Sequence, residues 1–175
     1  LHKPKRVRHA VGCSETAAEL AARFGADTAA AARAGILHDV TKALTDGEQR
    51  MLCRHAGLAL TPDEETIPSL LHAKTGAWAA EQIFGETPEI CSAIRWHTTG
   101  KADMTELEKI VYLADMIEPT REYTGVEQIR AAAQRDLDEA VLLALERTIS
   151  YLRERGFAVC GASVQARDFL LGERN

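Results

Sequence analysis

The chain has 175 residues, of which 46% are apolar and 27% are charged, and its 26 acidic and 21 basic residues give a net charge of -5. This composition is typical of a folded globular protein and argues against intrinsic disorder. No apolar run approaches the ~18 residues of a membrane-spanning helix, and no Lys/Arg-rich run offers a basic face for nucleic acid. We therefore expect one domain that binds neither membranes nor nucleic acid.

The local sequence signals predict helices along most of the chain. Alanine occurs 29 times against 17 for valine and isoleucine together, a balance that favours helix over sheet. In chain order, apolar spacing and stop signals predict helices over 14–24, 28–37, 46–57, 70–84, from 88 onward, over 105–118 and over 136–156. The predicted N-caps are Asp27, Asp46, Thr87, Thr105 and Asp136. The helix over 136–156 is predicted to be the longest, and 58–70 is predicted to be a loop because it contains Pro62 and Pro68. No strand-like alternation extends beyond a few residues, so the predicted fold class is all-α.

The four cysteines lie at positions 13, 53, 91 and 160 and form no CxxC pair. A zinc finger or a thioredoxin-like redox motif is therefore not supported. Free cysteines in apolar or helical stretches usually behave as small hydrophobic residues. We expect a reduced, cytoplasmic protein.

Three segments contain side chains that suit a metal ion. His38 and Asp39 follow an apolar helix, where both side chains can turn toward one ion as the backbone leaves helical geometry. Asp115 interrupts the apolar segment 110–117, where a carboxylate must be paired, hydrogen-bonded or metal-bound. His9 precedes the first predicted helix. Together these residues offer a divalent metal two imidazoles and two carboxylates, with open positions for water and substrate.

A His-Asp dipeptide arises often by chance, but here it is accompanied by longer motifs. These are Arg6-x-x-His9, Leu37-His38-Asp39-x-x-Lys42, Leu71-His72-Ala73-x-x-Gly76-Ala77, His97-Thr98-Thr99-Gly100 and Leu113-Ala114-Asp115-x-Ile117-Glu118-Pro119-x-Arg121. With these motifs in this order, the chain resembles the YqeK family of HD-domain symmetrical bis(5'-nucleosyl)-tetraphosphatases from Lys5 to about Leu171. The HTTG and LADxIEPxR segments are the specific part of the match.

The resemblance implies a fold, an activity and a setting. It implies a single HD domain over 1–175, an all-α helical bundle with a metal-binding core at about 5–122 and a helical C-terminal extension at about 123–175. It also implies a bacterial, iron-containing hydrolase that cleaves diadenosine tetraphosphate into two ADP, and it favours a homodimer.

The resemblance further implies a role for particular residues. The implied iron ligands are His9, His38, Asp39 and Asp115. The implied catalytic residues are Asp39, Lys42, His72, His97 and Asp115. The implied substrate contacts are Arg6, Asp39, Lys42, His72, His97, Thr98, Asp115 and Arg121. Basic side chains at this site would neutralise the phosphates, which carry about four negative charges, while the metal polarises one of them.

Several alternatives stay open at this point. His72 and His97 either protonate the leaving ADP oxygen or bind a second ion bridged by Asp39. Imidazole and carboxylate ligands suit iron but also manganese, zinc or cobalt. The substrate is either diadenosine tetraphosphate or another nucleotide, such as a nucleoside triphosphate or a cyclic nucleotide. A non-catalytic nucleotide-binding regulator is the third hypothesis, which the complete ligand set disfavours.

Overall fold

The computed structural model describes residues 3–173, which form ten α-helices and one 3₁₀ turn at Pro68–Leu70 and contain no strand. The helices are α1 (Lys3–Phe24), α2 (Thr28–Leu37), α3 (Asp46–His55), α4 (Pro62–Thr66), α5 (Leu71–Phe84), α6 (Pro88–Trp96), α7 (Glu106–Ile117), α8 (Val126–Ala132), α9 (Leu137–Glu154) and α10 (Gly161–Glu173). The all-α prediction is confirmed. No helix of this described part combines the length and the apolar character needed to cross a membrane.

Most helix starts follow the predicted capping chemistry. The N-caps predicted at Asp27, Thr87, Thr105 and Asp136 are confirmed. The prediction for α3 was wrong by one residue, because Thr45 rather than Asp46 is the N-cap. Thr45 and Glu48 form a capping box, which satisfies two backbone N–H groups reciprocally.

Helix α1 begins at Lys3 rather than at 14, so the prediction that His9 precedes the first helix was wrong. Positions 4–8 of this helix are exposed, and such a segment has no apolar stripe by which the sequence reveals it. Helix α1 has 22 residues and α9 has 18, so the expectation that the helix over 136–156 is the longest was also wrong.

The predicted loop over 58–70 contains the short helix α4 and the 3₁₀ turn. Pro62 occupies the first turn of α4, where its missing N–H costs nothing. Glu64, in the same helix, is buried and accepts bonds from Lys74 on α5 and Arg95 on α6, at 2.5 and 2.7 Å respectively. This buried carboxylate fixes α4 against the two longer helices.

Helices α1 and α2 approach each other closely at Gly35. A Cβ atom at this position would lie 2.8 Å from the Cα of Ser14 and 2.9 Å from the carbonyl oxygen of Cys13. Only glycine permits this backbone contact, because any Cβ atom at position 35 would clash with α1. The contact places the C-terminal end of α2 beside the middle of α1.

The main hydrophobic core combines buried residues of α1, α2, α7, α8, α9 and α10. This core contains residues from the expected metal-binding part at about 5–122, such as Leu113, and from the expected extension at about 123–175, such as Leu145. Helix α10 packs its Ala166 against the loop after α6, where a Cβ at Gly100 would lie 3.2 Å from that side chain. The division into a core at about 5–122 and an extension at about 123–175 stays a prediction.

The turn after α2 is fixed to α3 and α5 by buried polar contacts. The hydroxyl of Thr41 donates to the His72 carbonyl at 3.0 Å and lies 2.8 Å from the Thr75 hydroxyl. The Gln49 amide donates to the Thr41 carbonyl at 2.7 Å. These bonds hold residues 38–44 at one end of the bundle, next to the first turn of α5.

We expect Gly35→Ala to destabilise the protein by about 1–3 kcal/mol, because the added methyl group would force α1 and α2 apart. The measurement is the free energy of unfolding from urea titration followed by circular dichroism. Gly47→Ala is the matched control, since nothing lies within 4 Å of a Cβ there. That control should be neutral or more stable by up to about 1 kcal/mol. Equal stability of Gly35→Ala and the wild type would contradict the close contact.

Candidate metal centre

Six side chains from five helices meet at one end of the bundle. They are His9 in α1, His38 and Asp39 at the end of α2, His72 in the first turn of α5, His97 at the end of α6, and Asp115 in the last turn of α7. The side chains of His38 and His97 are fully buried, and those of Asp39 and Asp115 are 15% and 13% exposed. The residues that the motifs singled out therefore lie together in space.

The first group of side chains consists of His9 and His38 with one carboxylate oxygen from Asp39 and one from Asp115. The Nε2 atoms of His9 and His38 lie 3.2 Å apart. Oδ2 of Asp39 lies 3.4 Å from the His38 Nε2 and 3.8 Å from the His9 Nε2. Oδ1 of Asp115 lies 3.1 Å from His9 and 3.7 Å from His38. Two imidazole nitrogens and two carboxylate oxygens thus face a common point.

The second group uses the other oxygen of Asp39. Its Oδ1 lies 3.2 Å from the Nε2 of His72 and 3.4 Å from the Nε2 of His97. These two nitrogens are 3.2 Å apart. Asp39 therefore lies between the two groups and offers one oxygen to each.

Backbone carbonyls determine which ring nitrogen carries the proton in three of the imidazoles. The Nδ1 atoms of His38, His72 and His97 each lie 2.7 Å from the carbonyl oxygen three residues earlier, at Gly35, Ser69 and Ile94. A carbonyl oxygen can only accept, so each Nδ1 donates. In the neutral imidazole the lone pair then belongs to Nε2, which faces the carboxylates.

This arrangement fits a divalent metal. At the second group, two Nε2 lone pairs and the Oδ1 of Asp39 face one another at 3.2–3.4 Å, and none of these atoms has a proton to donate. Lys42 donates to this Asp39 oxygen, but the two Nε2 lone pairs face each other and the oxygen without a proton between them. A cation between the three atoms reverses their repulsion. The mixed imidazole and carboxylate set suits iron, manganese, zinc or cobalt.

The carboxylates and imidazoles shift one another's pKa values. Burial opposes the charge on Asp39, but its close contacts with the imidazoles of His38, His72 and His97 outweigh burial and hold the pKa of this carboxyl far below its usual range. Burial is likewise outweighed at Asp115, where the close contact with His9 and the nearby Arg121 guanidinium lower the pKa of the carboxyl. Burial lowers the pKa of His97 to about 4, so its imidazole is neutral at pH 7. Both carboxylates are charged and ready to bind a cation.

Glu118 orients His9, a role that the sequence analysis did not predict. Its Oε1 lies 3.0 Å from the Nδ1 of His9, and its side chain is fully buried. The backbone N–H and the hydroxyl of Thr120 both donate to this carboxylate, at 2.8 and 2.5 Å. A Cβ at Gly12 would lie 2.7 Å from Glu118 Oε2, so the carboxylate fits beside α1 because position 12 is glycine. A carboxylate on the second nitrogen of an imidazole is the usual support for a metal-binding histidine.

Two basic residues contact the carboxylates of the centre. Nζ of Lys42 lies 2.9 and 3.1 Å from the two oxygens of Asp39. Arg121 donates from Nε to the Asp115 carbonyl at 2.7 Å and from Nη2 to the Asp115 carboxylate. The side chains of Lys42 and Arg121 are 42% and 36% exposed, so both cations face solvent while they are paired.

Comparison with known proteins supports the family resemblance that the motifs indicate. A family model described as the HD domain matches residues 6–120. A symmetrical bis(5'-nucleosyl)-tetraphosphatase of Halalkalibacterium halodurans is 40% identical over 155 residues, which cover 86% of this chain and 80% of that protein. The enzyme of the same name from Bacillus subtilis is 39% identical, with 86% of this chain and 81% of that protein covered. The chain belongs to the HD-domain family of the symmetrical bis(5'-nucleosyl)-tetraphosphatases.

A solved structure supports the same conclusion about the fold. A protein from Clostridium acetobutylicum, described as a predicted HD superfamily hydrolase involved in NAD metabolism, superposes with a TM-score of 0.93 at 35% identity. The match covers 97% of this chain and 90% of that one. The predicted HD-domain fold class and the family resemblance are confirmed.

The two remaining residues that the tetraphosphatase motifs implied, Arg6 and Thr98, lie close in sequence to His9 and His97. Arg6 is exposed on α1, one turn before His9. Thr98 follows His97, and its buried hydroxyl has no hydrogen-bond partner within residues 3–173. The structure also brings Cys13 near His38 and Asp115, which no motif suggested. Burial and the nearby carboxylates raise the pKa of the Cys13 thiol well above its usual value, so it stays protonated and packs behind the centre.

We expect Glu118→Gln to weaken metal binding by about 10- to 100-fold, because the neutral amide makes His9 a poorer ligand. The measurement is competition for the metal with a chelator of known affinity, on protein that is folded by circular dichroism. Glu154→Gln removes an exposed carboxylate on α9 and should leave the affinity unchanged. Equal metal affinity of Glu118→Gln and the wild type would show that Glu118 does not support His9.

Proposed function

We propose that this HD-domain hydrolase cleaves diadenosine tetraphosphate symmetrically, to two ADP, at two adjacent metal sites that share Asp39. The observation that carries the proposal is the convergence of four imidazole nitrogens on the carboxylates of Asp39 and Asp115. The names of the Halalkalibacterium and Bacillus relatives support the substrate, because they describe enzymes of symmetrical cleavage.

The two groups of ligands define the two sites. The first site is formed by His9, His38, Asp39 and Asp115, and the second by Asp39, His72 and His97. A divalent metal bound there supplies Lewis-acid polarisation of a phosphoryl oxygen and lowers the pKa of a coordinated water. We propose iron as the resident metal, because the donor set suits it and the family resemblance implies it.

The geometry of the second site supports one of the two roles considered for His72 and His97, that of a metal ligand. A general acid must carry a proton toward the leaving oxygen. Here both rings give the Nδ1 proton to a carbonyl and face each other through Nε2 lone pairs. This tautomer suits a metal ligand and offers no proton to ADP, so we assign both residues to the second metal.

The chain's own cations bind and orient the phosphates. Lys42 is paired with the carboxylate of Asp39, and Arg121 is paired with the carboxylate of Asp115. Guanidinium and ammonium groups in these positions stabilise the negative charge that develops on the phosphates during cleavage. The buried Thr98 hydroxyl donates to a phosphate oxygen in this scheme, and Arg6 contacts the outer phosphates from α1.

Product analysis tests the reaction. We expect metal-loaded protein to convert diadenosine tetraphosphate into ADP alone, resolved by anion-exchange chromatography, with bound iron measured in the same sample. AMP together with ATP would contradict symmetrical cleavage. Hydrolysis of nucleoside triphosphates or cyclic nucleotides in place of the dinucleotide would favour the alternative substrate class. Absence of any product with the metal bound would favour a non-catalytic regulator.

We expect His38→Ala to abolish turnover and to reduce the metal content, because it removes a fully buried ligand of the first site. The helical circular dichroism should be largely retained. His55→Ala is the matched control, since His55 is exposed at the end of α3 and should leave both quantities unchanged. Normal turnover of His38→Ala would overturn the assignment of the centre.

A cytoplasmic location, a bacterial source and homodimerisation stay predictions.

A further inference from the structure

The C-terminal end of α7 lacks the backbone donors that would continue its hydrogen bonds. Pro119 has no N–H to offer to the Asp115 carbonyl. The N–H of Thr120 donates to the Glu118 carboxylate, and the N–H of Arg121 donates to the Glu118 carbonyl at 2.9 Å. The last carbonyls of a helix must therefore find other donors here. The carbonyls without a helical partner are those of Asp115, Met116 and Ile117.

Side chains from the following segment supply the missing donors. Arg121 and Tyr123 donate to the first two of these carbonyls, at 2.7 and 2.9 Å. Arg130, in α8, donates from Nε to the Ile117 carbonyl at 3.0 Å. Its Nη2 also donates to the carbonyls of Glu118 and Arg121, both at 3.0 Å. A single guanidinium therefore bonds three carbonyls of the turn that follows α7.

The packing of α8 holds Arg130 in place. Its neighbours Ile129 and Ala132 are buried in the main core. Its Nη1 donates to the Glu127 carboxylate in the same helix, and its side chain is only 27% exposed. A guanidinium is planar and pre-organised, so it loses little freedom for each hydrogen bond that it makes. Arg130 thus links a fixed helix to the turn.

The turn at 117–121 carries two side chains that engage the first metal site. Glu118 lies 3.0 Å from the Nδ1 of His9, and Arg121 donates to the Asp115 carboxylate. Their own carbonyls are two of the three that Arg130 bonds. Groups that support a functional site must be held within about 0.5 Å of the working geometry. A turn without Arg130 would therefore loosen both contacts together.

We propose that Arg130 is a positioning residue for the first metal site. Its guanidinium holds the turn at 117–121 in the conformation that directs Glu118 to His9 and Arg121 to Asp115. Arg130 acts on the metal through these two side chains. The inference rests on the proposed function in one respect, which is that a metal occupies the first site.

Imidazole N–H signals of zinc-loaded protein with ¹⁵N-labelled histidine test this role. We expect Arg130→Met to speed the exchange of the His9 Nδ1 proton with water by about tenfold, since the loss of a hydrogen bond to a charged group has effects of this size. The His9 signal is the one that is absent from His9→Gln. The three imidazoles whose Nδ1 protons go to backbone carbonyls should keep their exchange rates and serve as internal controls. Zinc affinity, measured by competition with a chelator, should fall by about tenfold.

Two further variants separate positioning from general effects on the segment. Arg147→Met removes a bond of the same kind, from Nε to the Thr124 carbonyl at 2.9 Å, but outside the turn at 117–121. This matched control should leave His9 exchange and zinc affinity unchanged. Arg130→Lys keeps the charge without the planar fork and should also weaken zinc binding. It provides the same test if Arg130→Met does not fold, because it retains the stem and the charge.

The outcomes separate this inference from the proposed function. Unchanged His9 exchange in folded Arg130→Met would overturn the positioning role, even if the variant were less stable, because Arg130 would then be structural only. Wild-type zinc affinity of Arg130→Lys would also overturn it, since charge alone would then suffice. If the wild type binds zinc but does not cleave diadenosine tetraphosphate, the proposed function fails and the effect of Arg130 on His9 still supports the positioning role. If the wild type binds no zinc, the inference fails together with the metal centre.

Discussion

The shared carboxylate of Asp39 imposes the central constraint on this site, because each of its oxygens faces a different pair of imidazoles. A carboxylate in this mostly buried position is stable only when several donors or cations surround it. Lys42 supplies one such cation in the same turn, and the imidazoles arrive from α1, α2, α5 and α6. The packing of these helices must therefore bring four imidazoles to one carboxylate, and the close contact of Gly35 with α1 is part of that packing.

Helix ends explain how the imidazoles are oriented. The last carbonyls of a helix lack an intrahelical partner, so a histidine at the C-cap can give them its Nδ1 proton. His38 and His97 do this at α2 and α6, and their Nε2 atoms point to Asp39 as a result. His9 lies inside α1, where the neighbouring carbonyls are already bonded within the helix, so its Nδ1 needs a side-chain acceptor. The buried Glu118 is that acceptor.

This difference also shows how far the sequence could predict the site. The all-α fold follows from local capping and spacing, and the family motifs alone predict His9, His38, Asp39 and Asp115 as one ligand set. Glu118 is part of one of those motifs, but its role was not predicted. Its partner His9 is 109 positions away in the sequence, and the contact requires a residue without a side chain at position 12. The helical state of residues 4–8 was missed because these exposed positions form no apolar stripe. The pairing of Arg121 with Asp115 depends on where α7 ends, which the sequence indicates only approximately.

The charge balance of the centre argues for the metals independently of the family. Three carboxylates, from Asp39, Asp115 and Glu118, lie here with two basic side chains, from Lys42 and Arg121, which they already engage. Without metals, Lys42 and Arg121 are paired with the carboxylates and do not neutralise an approaching polyphosphate. The carboxylates would then repel the phosphates, and this repulsion is strong at short range in a partly buried site. Divalent cations on the imidazole and carboxylate ligands would neutralise the carboxylates first. In the function that we propose, Lys42 and Arg121, both partly exposed, would then be free to turn toward the phosphates.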